Sequence, residues 1–224
     1  MNKDSGVLLS KQYLGDEVSK VIKEQIFDLK YHRGERLIVE TLAAELGVSM
    51  TPVREGLKLL VNQGIVGYNG KSYVVFNPRY DEIHHIFSIR RYLDKLAAFS
   101  AAENCSTEEL DTMYQLQNDL LSNREDDLKE FIASDIVFHS LLLKSTGNER
   151  LISIGRPINE QCHLLRLWSY EKDFPKENLV ITVNEHLAIL DAIKKGKASL
   201  AETAMEKHLI RGEKIAWKMF DNFF

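Results

Sequence analysis

Leu42-Ala43-Ala44-Glu45-Leu46-Gly47-Val48-Ser49-Met50-Thr51-Pro52-Val53-Arg54-Glu55-Gly56-Leu57-Lys58-Leu59-Leu60 reads as two short helices folded over a tight turn. Leu42, Ala43 and Leu46 recur at helical spacing and give the first helix one apolar face. Gly47 follows where a helix end needs a residue that tolerates positive φ. Val48 is an apolar plug between the helices, and Ser49 or Thr51 can cap the second. Pro52 then falls in the first turn, where a missing N–H is no loss. Val53, Leu57 and Leu60 share the inward face; Thr51, Arg54 and Lys58 point away from it. This is the anatomy of a helix-turn-helix, whose second helix enters the DNA major groove.

Working outward, residues 1–15 carry no strong pattern and are expected to form a loose arm. Val18, Val21, Ile22, Ile26 and Leu29 then predict a helix from Asp16 to Lys30. His32 to Leu37 reads as a turn into the helix-turn-helix. Beyond Gly64, two β-prone runs, Ile65–Tyr68 and Ser72–Phe76, flank Asn69-Gly70. Asn-Gly is a two-residue hairpin signal because both residues accept positive φ. The hairpin is the wing, and Asn69, Gly70 and Lys71 at its tip are placed for DNA, although a solvated tip is also an ordinary outcome.

Asn77 to Tyr80 reads as a linker, and the rest is predicted helical to the end. The segments are Asp81–Asn104, a helix opened by the capping box Ser106-Thr107-Glu108-Glu109, one from Asp126 or Asp127 to Gly147, Asn148–Lys172 with a bend at Pro157, Pro175–Lys195, and Ser199–Phe223 with a second capping box, Ser199 to Glu202. The expected fold is mainly α: a winged helix-turn-helix over 1–76, a linker over 77–80 and an all-helical bundle of six to seven helices over 81–224.

Composition sets bounds. In 224 residues, 44% hydrophobic and 28% charged content is ordinary for a globular chain. No apolar run is long enough to span a bilayer, and Met1 to Ser5 leads into no signal-like stretch, so a cytoplasmic protein without membrane attachment is expected. Cys105 and Cys162 lack metal-binding or disulfide spacing. The net charge is −4, but residues 1–78 hold ten Lys/Arg against nine Asp/Glu, leaving 19 against 24 in the remainder. Bulk charge therefore argues little for DNA, and the case rests on where Arg36, Arg54, Lys58 and Lys71 sit. Gly-x-Ser-x-Gly, P-loop and dinucleotide fingerprints are absent, which leaves no catalytic motif to build on.

Within the bundle, Asp135 and His139 stand at i and i+4 on one helix, and His186 and His208 lie mid-helix on the last two. A carboxylate and three imidazoles from three helices can converge on a divalent ion. By spacing alone they also fit ordinary hydrogen-bonded core residues. His84-His85 are adjacent and face different ways, which makes them poor joint ligands and suits solvated side chains, and Cys162-His163 could line the cavity, though nothing distinguishes them from core residues.

The run Gly47-Val48-Ser49-x-Thr51-Pro52-Val53-Arg54-Glu55-x-Leu57 resembles the signature of GntR-family winged-helix transcription regulators. The family usually has Arg at the position of Met50, Ala at that of Gly56, and Pro-Gly where this chain has Arg33-Gly34. Asp135-x-x-Phe138-His139-x-x-Leu142 with Gly147-Asn148, Glu185-His186-x-x-Ile189-x-x-Ala192-Ile193 and Met205-x-x-His208-Leu209 resemble the FCD effector domain of the FadR-like branch. In many of its members an Asp and three His bind a metal, and all four positions are filled here. The resemblance implies a divalent ion, zinc or nickel, on Asp135, His139, His186 and His208, with open positions for a small organic acid effector. Ile89-Arg90-Arg91-x-Leu93-Asp94 resembles the first helix of that domain, with Arg90 a partner for the effector's anionic group or, equally, for Asp94 at i+4. DNA contacts are expected from Arg36, Ser49, Met50, Thr51, Arg54, Lys58, Asn69, Gly70 and Lys71. Since one recognition helix reads few base pairs, a homodimer on a palindromic double-stranded operator is expected. The function implied is a DNA-binding regulator, a repressor, modulated by a carboxylate. A metal-dependent enzyme tethered to DNA and a regulator with a purely structural metal are the alternatives.

Overall fold

The structure, a computed structural model, describes residues 5–122, 128–169 and 177–220. The chain divides into two compact units, Met1–Arg79 and Tyr80–Phe224.

The first unit runs α1 (Ser5–Phe27), β1 (Arg36–Leu37), α2 (Val39–Leu46), α3 (Met50–Asn62), β2 (Val66–Tyr68) and β3 (Tyr73–Val75). Gly47 closes α2 at φ 64°, and Val48 N–H bonds back to Ala43 O, the six-to-one closure expected of a left-handed cap. Ser49 occupies the N-cap of α3 without a side-chain cap bond. Val53, Leu57 and Leu60 are fully buried beside Ile22, Ile26 and Leu42, as their spacing predicts.

Three expectations for this unit are corrected. The first helix begins at Ser5 rather than Asp16 and ends at Phe27 rather than Lys30. Leu29 takes φ 60°, the only positive φ outside glycine among the described residues, and Lys30 N–H closes onto Gln25 O at 2.9 Å. A leucine thus fills a position that pattern reading reserves for glycine. Second, part of the turn before α2 is a strand: Arg36 and Leu37 pair with Val74 and Tyr73, giving an antiparallel sheet ordered β1-β3-β2. Two residues are too few to show an alternation. Third, the hairpin turn is centred one residue later than Asn69-Gly70. Asn69 N–H bonds Ser72 O, so Gly70 (φ 87°) and Lys71 are the central pair. Asn69 does not take positive φ; its Oδ1 accepts Lys71 N–H and Ser72 N–H instead.

Gly56 has a packing reason. A Cβ there would lie 2.9 Å from Ser19 N, 3.0 Å from Gly15 O and 3.0 Å from Val18 Cγ1. Gly15 faces it in turn, with its own Cβ position 3.0 Å from Glu55 Cβ. α1 and α3 cross at a spacing that side chains on both would prevent.

The second unit is α4 (Tyr80–Asn104), α5 (Thr107–Ser122), α6 (Leu128–Ser145), α7 (Glu149–Ser169), α8 (Glu177–Lys194) and α9 (Ala198–Phe220). At the start of α5, Glu109 N–H bonds Ser106 Oγ and Ser106 N–H bonds Glu109 Oε2, the reciprocal pair expected. α7 passes through Pro157 as one helix. The second expected box does not form: α9 starts at Ala198, so Ser199 lies inside the first turn, and Lys197 O receives Leu200 N–H and Ala201 N–H. The expected helix limits at Asp126, Asp127, Lys172, Pro175 and Phe223 fall outside the described residues. Ala97, Ala101, Met113, Phe138, Leu142, Ile189 and Met205 form the core on which the polar centre rests. No helix among the described residues is long and apolar enough to cross a membrane.

Candidate metal centre and nucleic-acid interface

α6 brings Asp135 and His139 to one face, α8 brings His186 and α9 brings His208. All four are buried, at 4%, 1%, 1% and 1% exposure, and one ligand atom from each lies within 4.8 Å of the others. His186 Nε2 is 3.3 Å from His208 Nε2, which is 3.4 Å from His139 Nε2. Asp135 Oδ1 stands 3.7 Å from His186 Nε2 and 3.9 Å from His139 Nε2. Ligands at ~2.1 Å from a tetrahedral ion would stand roughly 3.4 Å apart, so these separations have the right scale.

The other ring nitrogens explain why the Nε2 atoms face inward. His208 Nδ1 meets Glu185 Oε2 at 2.9 Å, and His186 Nδ1 meets Gln117 Oε1 at 3.0 Å. His139 Nδ1 is 3.0 Å from Asp94 Oδ2, within ion-pair reach though off the line of a good hydrogen bond. Each partner is an acceptor, which places the ring proton on Nδ1 and leaves Nε2 as a lone pair. Phe138 stacks on the His186 ring at 3.9 Å and fixes its plane. Burial drives the pKa of His186 and His208 well below 6.5, with neighbouring His charge adding to it, and burial with Arg90 lowers that of His139. Three neutral nitrogens and a carboxylate oxygen facing one point form a set of acceptors that repel one another unless a cation sits among them. The donor set fits a borderline divalent ion such as zinc or nickel, and its outer partners are those a metal-bound imidazole commonly has.

Arg90 is 3% exposed and gives Nε to Asp94 Oδ2 at 3.1 Å. Both roles considered for it are compatible with this position, since it also lines a cleft with Asp135, His139, Asn159, His163 and Arg166. Arg166 pairs with Asp135 and reaches a second cleft beside Thr182, His208 and Arg211. Arg211 holds Glu185 at 2.6 and 2.8 Å.

Of this outer set the sequence pointed to Arg90, Asp94 and His163 and missed the rest. Glu185 adjoins His186, and Asn159, His163 and Arg166 fall at i, i+4 and i+7 on one face of their helix, so both had a signal. Gln117, 69 residues from His186, had none. His84 and His85 are both exposed, as expected, and the His84 ring also stacks on Trp217 at 3.8 Å, with Tyr80 5.6 Å away.

In the first unit, Thr51, Arg54 and Lys58 are exposed along α3, and Met50 is 45% exposed at its start. Arg36, Arg54 and Lys71 line one groove of about 250 Å3 between β1, α3 and the wing, with Glu40, Tyr68 and Ser72. Arg54 stands 4.0 Å from Glu40, both well exposed, a pairing too weak to hold it from a phosphate. Gly70 and Lys71 are exposed at the wing tip, whereas the Asn69 side-chain oxygen is committed to its own loop.

Comparison with known proteins follows the same division. Residues 14–74 match "Bacterial regulatory proteins, gntR family", and residues 85–211 match "FCD domain". The uncharacterized HTH-type transcriptional regulator YdhC of Bacillus subtilis (strain 168) is 26% identical over 191 residues, covering 84% of each chain. The HTH-type transcriptional repressor NanR of Citrobacter rodentium (strain ICC168) is 26% identical over 221 residues, covering 90% of this chain and 84% of that one. Among solved structures, E. coli McbR/YncC superposes with a TM-score of 0.81 at 22% identity, over 92% of this chain and 98% of that one, a likeness of fold.

Proposed function

This chain belongs to the gntR family of bacterial regulatory proteins and carries an FCD domain, and from that premise we propose that it is a homodimeric, metal-loaded repressor released from its operator by a small carboxylate. It is a DNA-binding transcription regulator with an effector-binding second domain. The observation that carries the finer reading is the convergence of His139, His186 and His208 Nε2 with Asp135 Oδ1, each Nδ1 facing an acceptor on the other side of its ring.

Asp135, His139, His186 and His208 would hold the ion, which supplies a positive charge and open positions for a carboxylate. Arg90 and Arg166 are the cations placed to meet the same anion. In the cytoplasm, two copies of α3 would read the half-sites of a palindrome. Arg54, Lys58, Met50 and Thr51 face the groove, Ser49 and Arg36 the flanking phosphates, and Gly70 and Lys71 the wing contact, with Asn69 shaping the wing. An effector that favours one arrangement of the bundle shifts the spacing of the two reading heads and so the affinity for DNA. Repression is favoured by the likeness to a named repressor.

A second reading, a purely structural ion, is favoured by the narrowness of the site: the cleft beside Asp135, Arg166 and His208 leaves about 10 Å3. Fluorescence anisotropy on DNA selected by the protein separates the two, using metal-loaded and chelated protein with and without acetate, lactate, succinate and malate. Release by a carboxylate only in the metal-loaded state supports the switch. Release by none of them, with metal still required for folding, supports the structural ion.

A further inference from the structure

We infer that Asn159 is a specificity-determining residue that reads a hydroxyl group on a small hydroxycarboxylate bound beside the metal centre. The inference rests on the effector reading above and narrows it to a class of ligand.

Asn159 lies on α7, one turn before His163 and two before Arg166, and all three line the cleft bounded by Arg90, Ile132, Asp135, Ile136 and His139. It is 4% exposed, and neither Oδ1 nor Nδ2 has a hydrogen-bond partner among the described residues. Because both atoms are unpaired, exchanging the amide O and N would change nothing. A buried amide without partners is destabilising, and an apolar side chain of similar size would serve the fold better. Such a group in a functional cleft points to a partner that arrives with the ligand.

The charges of the centre give the rest of that ligand. Arg90 is offset by Asp94 at 3.1 Å, Arg166 by Asp135 and Arg211 by Glu185 at 2.6 Å. A divalent ion on the four ligands would bring two positive charges that these pairs do not cancel. A carboxylate answers that charge. His163, one turn beyond Asn159, is neutral, burial and Arg90 pushing its pKa down to about 4. The Asn159 end of the cleft therefore suits a neutral group that both donates and accepts. A hydroxyl does both; a keto oxygen only accepts, and a methyl does neither.

The test uses metal-loaded full-length protein and three matched pairs: glycolate and acetate, lactate and propionate, malate and succinate. Titration calorimetry measures each on the parent and on Asn159→Leu and Asn159→Ala. The parent is expected to prefer at least one hydroxy acid over its deoxy partner by about tenfold or more, since a site built around a hydroxyl discriminates strongly against its loss. Asn159→Leu should erase the preference, keep its metal and melt at a higher temperature than the parent without ligand, which no structural role for Asn159 allows. Asn159→Ala, smaller than Asn, repeats the binding test should leucine disturb the cleft. Carboxylate binding without a hydroxyl preference, or with one that survives both substitutions, overturns the role of Asn159 and leaves the effector reading standing. No binding of any of the six acids overturns both.

Discussion

Replacing Gly56 by alanine would be expected from helix propensity alone to stabilise α3 by about 1 kcal/mol. The structure argues the opposite sign. The added methyl would stand 2.9 Å from Ser19 N and 3.0 Å from Gly15 O, both backbone atoms of α1, and 3.0 Å from Val18 Cγ1. Backbone cannot rotate aside as a side-chain end can, so α1 and α3 must separate. Overpacking of this kind costs roughly 1–3 kcal/mol. Subtracting the propensity gain leaves a net loss of about 0–2 kcal/mol, and a unit of this size shifts by roughly 4–8 °C per kcal/mol. Both tryptophans, Trp168 and Trp217, lie in the second unit. Far-ultraviolet circular dichroism should therefore show an earlier helical transition in Gly56→Ala, while the tryptophan-detected transition stays where it was. A variant whose first unit melts several degrees higher, as propensity predicts, would refute the close crossing of α1 and α3.

Arg54→Ala should weaken operator binding by about 1–3 kcal/mol per half-site if Arg54 contacts a base, as read by gel-shift titration; unchanged affinity would remove α3 from the groove. Met50→Arg should steepen the slope of log K against log salt by up to roughly 2 for a dimer if residue 50 faces phosphates, each contact adding about 0.9. A changed operator preference with an unchanged slope would instead place Met50 against base edges. Glu185→Gln should lower metal affinity by about 10–100-fold in chelator competition, because it weakens the group that orients His208 Nδ1. Equal affinity would make Glu185 a partner of Arg211 alone.

The parts of this molecule legible from sequence are those set by local pattern. Leu42, Leu57 and Leu60 showed their burial through spacing, Gly47 its φ through position, and Ser106 with Glu109 their reciprocal cap through separation. The parts that were not legible depend on tertiary choices. Ser199 and Glu202 have the same spacing as the first box, but α9 starts at Ala198, two residues before a Ser199 cap would start it, and leaves them inside the helix. Leu29 takes positive φ where Lys30 N–H closes onto Gln25 O, a place where the sequence offers no glycine. Asn69 uses its side chain within the loop, which moves the turn by one residue. At the metal centre, the four inner residues could be picked out as residue types able to bind metal. The glutamine that fixes His186 sits on a helix far away in sequence, and only folding brings it there.

The account depends most on an ion held by Asp135, His139, His186 and His208. Elemental analysis of purified full-length protein, before and after reconstitution with zinc or nickel, should find about one divalent ion per chain. His139→Ala should lose it while keeping the helical signal and the DNA binding of the first unit. Protein that carries no ion after reconstitution, or a His139→Ala variant that keeps the full complement, would contradict the site.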